Sequence, residues 1–190
     1  MKCERRSLLL MMKIFTTQLT GHFNRILDQE EINIEDSARL LAQALIGEGT
    51  LYIYGVNELH GIVLEALLSS EPFNRAEALL DQNGQVKKLS SEDRVLLFTY
   101  RSTDEEAISI AKTLANQGVQ TVGVSALIKN ADSGLESITD LHIDAKLRQP
   151  LIPGDDGERY GFPALMTSLY VYYAISFTIK EMLNEYEDEY

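Results

Sequence analysis

The chain has 190 residues, 45% of them hydrophobic and 24% charged, a balance that fits one compact domain with its own core and makes a second domain an unneeded assumption. Its 29 acidic residues against 17 basic ones give a net charge of −12, which argues against a nucleic-acid partner, because phosphate backbones are gripped by clustered Lys and Arg. The single cysteine, Cys3, permits no intrachain disulfide, and no stretch approaches the roughly 20 apolar residues of a membrane span, so a cytoplasmic protein is the simplest expectation.

Lys2, Arg5 and Arg6 precede the apolar run Leu8 to Met12 in the manner of a signal peptide. That run is shorter than the roughly 7–15 residues of a signal core, and no small-residue cleavage site follows. Residues 1–12 are therefore expected to be a disordered or mis-assigned leader, with Met12 as an alternative start and 13–190 as the domain. Two helices come next. Lys13 to Leu27 carries Ile14, Phe15, Leu19, Phe23 and Ile26, and Glu35 to Ile46 carries Leu40, Leu41, Ala44 and Leu45, at helical spacing. Gly47 and Gly49 stop the second. Leu51 to Gly55 reads as a strand, followed by a helix from about Glu58 to Ser70 that Glu71-Pro72 breaks. Ala76 to Leu80 can form a short strand, and Asp81 to Gly84 is a turn signal.

The third strand lies within Arg94 to Tyr100, where Val95 to Phe98 are apolar in a row, as in a strand buried on both faces of a parallel sheet. A helix from Asp104 to Gln117 is capped by Gly118, Thr121 to Val124 is a fourth strand, and Leu141 to Asp144 a fifth. Strands alternating with helices specify a three-layer, doubly wound α/β fold, since parallel neighbours need crossovers that place helices on both faces. Leu147 to Pro163 reads as a long loop, of the kind that is functional or disordered. The last helix, about Ala164 to Tyr186, is apolar almost all round over its first four turns, which calls for a second subunit to help bury it. Glu185 to Tyr190 is a solvated tail.

Two of these passages share a form. Gly55 and the Thr99–Thr103 segment each follow an apolar strand and lead into an amphipathic helix, an arrangement that points backbone N–H groups at an anion. Side by side, the two turns would form a cleft for a phosphorylated ligand.

In order and spacing, Lys13 to Tyr186 resembles the sugar isomerase (SIS) domain family, and within it small phosphoheptose-isomerase-like proteins. The resemblance implies a flavodoxin-like five-stranded parallel sheet, a homodimer or homotetramer, a sugar-phosphate site at the strand C-termini and a place in carbohydrate-derivative metabolism. Family members carry Ser-x-Ser-Gly-x-Ser/Thr after the strand that corresponds to Val95–Phe98. Here Thr99 fits the first hydroxyl, Arg101 replaces the second and Ser102 replaces Gly, so easy access to φ > 0 is lost. Arg101 can compensate, because a guanidinium binds phosphate through two parallel hydrogen bonds. The expected ligand contacts are Gly55, Asn57, Thr99, Arg101, Ser102 and Thr103. The plainer reading of the second turn is a helix cap, for which Asp104 suffices.

Aldose–ketose isomerisation needs a base to move a proton between adjacent carbons and an acid to open the ring. Glu58, His60 and Glu65 are the candidates, Glu58 also being suited to stabilise the helix start. The phosphoheptose isomerases carry metal-binding His, Glu and Gln on this helix and the last one. Aligned through Lys180-Glu181-Met182, the C-terminal ligand positions fall near Ala164 and Tyr172, which cannot replace them, and His22, His60 and His142 lie on separate elements. No metal and no other cofactor are expected. Arg148 and Arg159 flank the long loop and could fold over a phosphate. The leading reading is thus a sugar-phosphate-binding protein, an isomerase if catalytic. The alternative is a non-catalytic sensor or interaction protein that has lost the isomerase site. A phosphoacceptor is disfavoured, because Asp93 precedes its strand.

Overall fold

The strands carry apolar residues on both sides, and the fold gives each side its own core. The computed structural model describes residues 2–129, 133–154 and 156–189, with side chains from Leu9 to Tyr186. Its elements in chain order are α1 (Lys2–Ile46), β1 (Leu51–Gly55), a 3-10 turn (Asn57–Leu59) leading into α2 (His60–Leu68), β2 (Ala76–Ala78), β3 (Arg94–Arg101), α3 (Glu105–Asn116), β4 (Gln120–Ala126), β5 (Leu141–Asp144), β6 (Ile152–Pro153), β7 (Arg159–Tyr160) and α4 (Ala164–Glu189). The main sheet has five parallel strands in the order β2-β1-β3-β4-β5. Alternation along each strand sorts the side chains. Leu51, Ile53, Leu96, Phe98, Val122 and Val124 face α1, α2 and α4, while Tyr52, Tyr54, Val95 and Leu97 face α3. This is the doubly wound α/β sheet with helices on both faces that the strand–helix alternation requires.

The two leading helices of the sequence reading are one. Between Asp28 and Ile34 there is neither Gly nor Pro, and Ile26, Glu30, Ile34, Ala38 and Leu41 keep one buried face continuous through that stretch. Residues 2–12 continue the same helix, with Leu9, Leu10 and Met12 exposed. Arg75, in left-handed backbone at φ 58°, closes the far end of α1 by donating to the carbonyls of Leu45, Gly47 and Gly49 at 3.0, 2.8 and 2.5 Å.

The long loop contains a small antiparallel pair, β6 and β7, pinned where Arg159 donates to the carbonyls of Pro150 and Leu151, both at 2.7 Å. Along α4, Val171, Tyr172, Ile175 and Ile179 are buried, whereas Tyr173 and Phe177 stay exposed, so one apolar face of the helix has no cover within the chain. Among the described residues no helix is long and apolar enough to cross a membrane. The last residue of the acidic tail, Tyr190, lies outside the described residues.

Candidate functional site

The carboxyl ends of β1 and β3 lie side by side at the point where the strand order reverses, the place at which open α/β sheets bind ligands. After β1 the chain turns so tightly that a Cβ on Gly55 would sit 2.2 Å from the Leu59 carbonyl oxygen, and Asn57 adopts φ 53°. Gly55, Asn57 and His60 line one cleft of about 490 Å3, with Tyr54, Asp81 and Gln82 on its other wall. Glu58 is exposed in the 3-10 turn. Glu65 lies elsewhere: its carboxylate accepts from the Tyr173 hydroxyl at 2.5 Å, on the contact between α2 and α4. That bond raises the Tyr173 pKa, while burial, and then the charge of Glu65, pushes Tyr172 up to about 12.

The turn after β3 builds a second, smaller space. The strand register shifts between Phe98 and Arg101, so the neighbours Thr99 and Tyr100 both line one chamber against the first turn of α4. The chamber measures about 10 Å3, close to what one water molecule needs. Thr99 is 2% exposed and Thr167 1% exposed, and neither Oγ1 has a hydrogen-bond partner. Ser168 adds a third hydroxyl to the lining. Tyr100 and Phe162 form the roof, edge to face, with ring centroids 6.2 Å apart.

The other residues of this turn divide between duty and freedom. Arg101 is exposed at the strand end with no hydrogen bond or ion pair among the described residues. Ser102 is fully buried; its hydroxyl accepts from the Ile128 N–H at 3.1 Å and its carbonyl from the Leu135 N–H at 2.7 Å, which holds the loop after β4. Thr103 is half-buried, and Asp104 caps α3 by accepting from the Ala107 N–H at 3.0 Å. Arg148 is engaged by Asp144 at 3.1 Å and Arg159 by the loop carbonyls, so neither is free to fold over a ligand in this conformation. Asp93, at the opposite edge of the sheet, accepts from the backbone N–H groups of Thr50 and Ser90 at 2.8 and 2.7 Å.

Some of the machinery escaped the sequence reading. Thr167, Ser168 and Phe162 surround Pro163, a proline well suited to open a helix, and hydroxyls in a helix's first turn were the available signal. At the end of β5, Asp144 forms a buried charge cluster with Glu30 of α1 and with Lys146, whose ammonium contacts Glu30 and lies 3.4 Å from Asp144. The nearby His22 is 3% exposed, and burial, reinforced by the Arg25 charge, holds its pKa below the usual value. Among the described residues no group of three or more His, Cys, Asp or Glu is placed to hold a metal ion.

A parallel sheet of this order, with strand-to-helix turns gathered at its carboxyl edge, is the SIS-type fold. Solved structures of that kind superpose on nearly the whole chain. A phosphoheptose isomerase from Francisella tularensis matches with a TM-score of 0.61 at 14% identity, covering 92% of this chain and 98% of that one. An E. coli CFT073 protein in complex with a sugar phosphate matches at 0.63 and 12% identity, with 93% of each chain covered. The Vibrio vulnificus NanR protein, complexed with ManNAc-6P, matches at 0.54 and 14% identity, over 96% of this chain and 67% of that one. At such identities the likeness is one of fold. In sequence, residues 11–183 match the family described as a domain of unknown function, DUF2529, and the chain belongs to that family. The Bacillus subtilis (strain 168) protein YwjG, described as uncharacterized, is 50% identical over 176 residues, 93% of this chain and 99% of that one.

Proposed function

We propose that this protein binds a sugar phosphate at the carboxyl edge of its sheet, with the Thr99–Thr167 chamber receiving a polar end of the ligand. The observation that carries the reading is the pair of buried, unbonded hydroxyls at the start of a long helix: an unpaired buried donor is costly and is retained where something else satisfies it. Arg101, unpaired at the end of β3, supplies a cation within the same turn. Two structural neighbours, the E. coli CFT073 protein and the Vibrio vulnificus NanR protein, are complexes with ligands of this class. Cytoplasmic location and assembly as a homodimer or homotetramer belong to the same reading.

Binding is favoured over turnover. Of the three acid–base candidates only His60 lines the larger cleft; Glu58 points to solvent and Glu65 is bonded to Tyr173. A sensor or interaction protein that kept the fold and the ligand while losing isomerase chemistry accounts for that arrangement best. The test is thermal unfolding of the full chain against a panel of sugar phosphates. A ligand at about 100 times its dissociation constant adds roughly 2.7 kcal/mol, visible as several degrees. The shift should vanish in Thr167→Val and shrink in Arg101→Ala. No shift with any sugar phosphate would refute the reading, and conversion of a shifting compound, followed by NMR, would restore the isomerase.

A further inference from the structure

Between α1 and α4 runs a surface groove of about 700 Å3. Its floor is apolar, with Leu27, Tyr173 and Phe177 left 48%, 40% and 58% exposed. Its rim is acidic: Glu31, Glu35, Glu181 and Glu185 line it, and no Lys or Arg does. An occupant must bring apolar side chains flanked by positive charge. Two such grooves laid face to face would oppose carboxylate to carboxylate, so the groove does not pair with itself.

One segment of this chain has the required chemistry. At the start of α1, Leu9, Leu10 and Met12 are 63%, 60% and 52% exposed, and the surrounding sequence holds Lys2, Arg5, Arg6 and Lys13 against the single acid Glu4. This turn overhangs its own domain and cannot reach its own groove. Leu10 and Glu31 sit on one unbroken helix, about 32 Å apart at 1.5 Å per residue.

We propose that α1 pairs antiparallel with α1 of a second copy, so that the overhanging apolar turn of each enters the acidic groove of the other. Centring the pair between Thr20 and Gly21 sets Leu10 level with Glu31, Lys13 with Asp28 and Thr17 with Asn24, each match occurring twice by the two-fold axis. These six positions are all exposed and fall at helical spacing on one outward stripe, away from the buried Leu19, Ile26 and Glu30. Leu9 precedes Leu27 by about five full turns and shares its side of the helix, the side on which α4 lies. Gly21 meets nothing within 4 Å where a Cβ would stand, which lets the two backbones approach at the crossing. Lys13 and Asp28 have no ion-pair partner within the protomer among the described residues, and the pairing gives each one. The inference stands independently of the ligand.

Sedimentation velocity of the full chain over a dilution series tests it. A dimer is expected, weakened about tenfold by Lys13→Glu and by Asp28→Lys, and restored when the two are combined. In a Cys3→Ser background, Thr17→Cys with Asn24→Cys should give a covalent dimer on oxidation. The two cysteines of one helix, seven residues and about 10 Å apart, cannot close on each other. Both charges are exposed, so circular dichroism should report unchanged folding. A monomer at every concentration, its groove left for a basic peptide of another protein, overturns the proposal. So does a dimer indifferent to both reversals that yields no cross-link.

Discussion

The hydroxyls of Thr99 and Thr167, one at the end of β3 and one in the first turn of α4, face a single chamber without a hydrogen-bond partner between them. Each unsatisfied buried hydroxyl costs roughly 1–3 kcal/mol. A core that had only to be stable would hold valine there, since valine has the same shape and nothing to satisfy. The fold therefore carries a local penalty at the place where its topology gathers the turns that meet ligands.

Thr167→Val and Thr99→Val should therefore separate stability from binding. Each removes an unpaired hydroxyl and keeps the volume, so the urea midpoint is expected to hold or rise, while the unfolding shift given by a sugar phosphate disappears. A loss above about 1 kcal/mol in the unliganded protein would mean that the hydroxyls already have partners, and would remove the main support for a ligand chamber.

Gly55 is a backbone requirement of the neighbouring turn. A methyl group there meets the carbonyl oxygen of Leu59 at 2.2 Å and its carbon at 2.4 Å, and neither backbone atom can swing aside as a side chain would. Gly55→Ala should cost about 3 kcal/mol or more and open the turn that carries Asn57 and His60. Urea denaturation with an unchanged midpoint would show that the turn has slack.

Acid should weaken the fold through its buried histidines. Burial, with help from Arg25, holds His22 below the ordinary value of 6.5, and burial does the same to His142, whose Nε2 lies 2.8 Å from the Ser125 hydroxyl. The fold thus favours the neutral rings, and the unfolded chain takes up protons first as pH falls. Stability rises with pH wherever the unfolded state binds more protons. The contribution is therefore complete above pH 6.5 and is lost as pH falls from there through the lower folded-state values. Denaturant midpoints between about pH 7.5 and 5.5 should decline, less steeply in His22→Gln. A flat or rising profile would contradict the burial assigned to both rings.

How far the sequence could be read depended on whether a signal was local. β5 was legible residue for residue, Leu141 to Asp144, and β1 likewise, because each is a short apolar run between turn signals. β2 ends at Ala78, short of Leu80, as a brief edge strand does. The join within α1 was hidden because Gln29 and Glu31 to Asn33 are exposed and mask the buried thread through Glu30 and Ile34. At the site, Gly55, Asn57 and His60 are close in sequence and share a cleft. Glu65 was placed by counting helical turns from Glu58, but Glu58 lies in a 3-10 turn and the α-helix starts at His60, so the phase between them slips. Thr167 meets Thr99 only through the packing of α4 on the sheet, which no local pattern encodes.

The roof of the chamber should control entry. At about 10 Å3 the space holds a water molecule and excludes a sugar phosphate, so Phe162 must move before a ligand enters. Little restrains it: the ring is 39% exposed, touches Tyr100 only edge-on, and follows Gly161, whose φ of 73° marks a backbone free to re-form the turn. Phe162→Ala is expected to cost only about 1 kcal/mol of stability, since so much of the ring already meets solvent. It should raise the association rate of a binding sugar phosphate at least about fivefold, as removal of a lid does when opening limits entry. Stopped-flow binding decides the point. Equal association rates in the variant and the parent would place the entrance elsewhere, through the cleft beside Gly55, and would leave Phe162 as a packing residue.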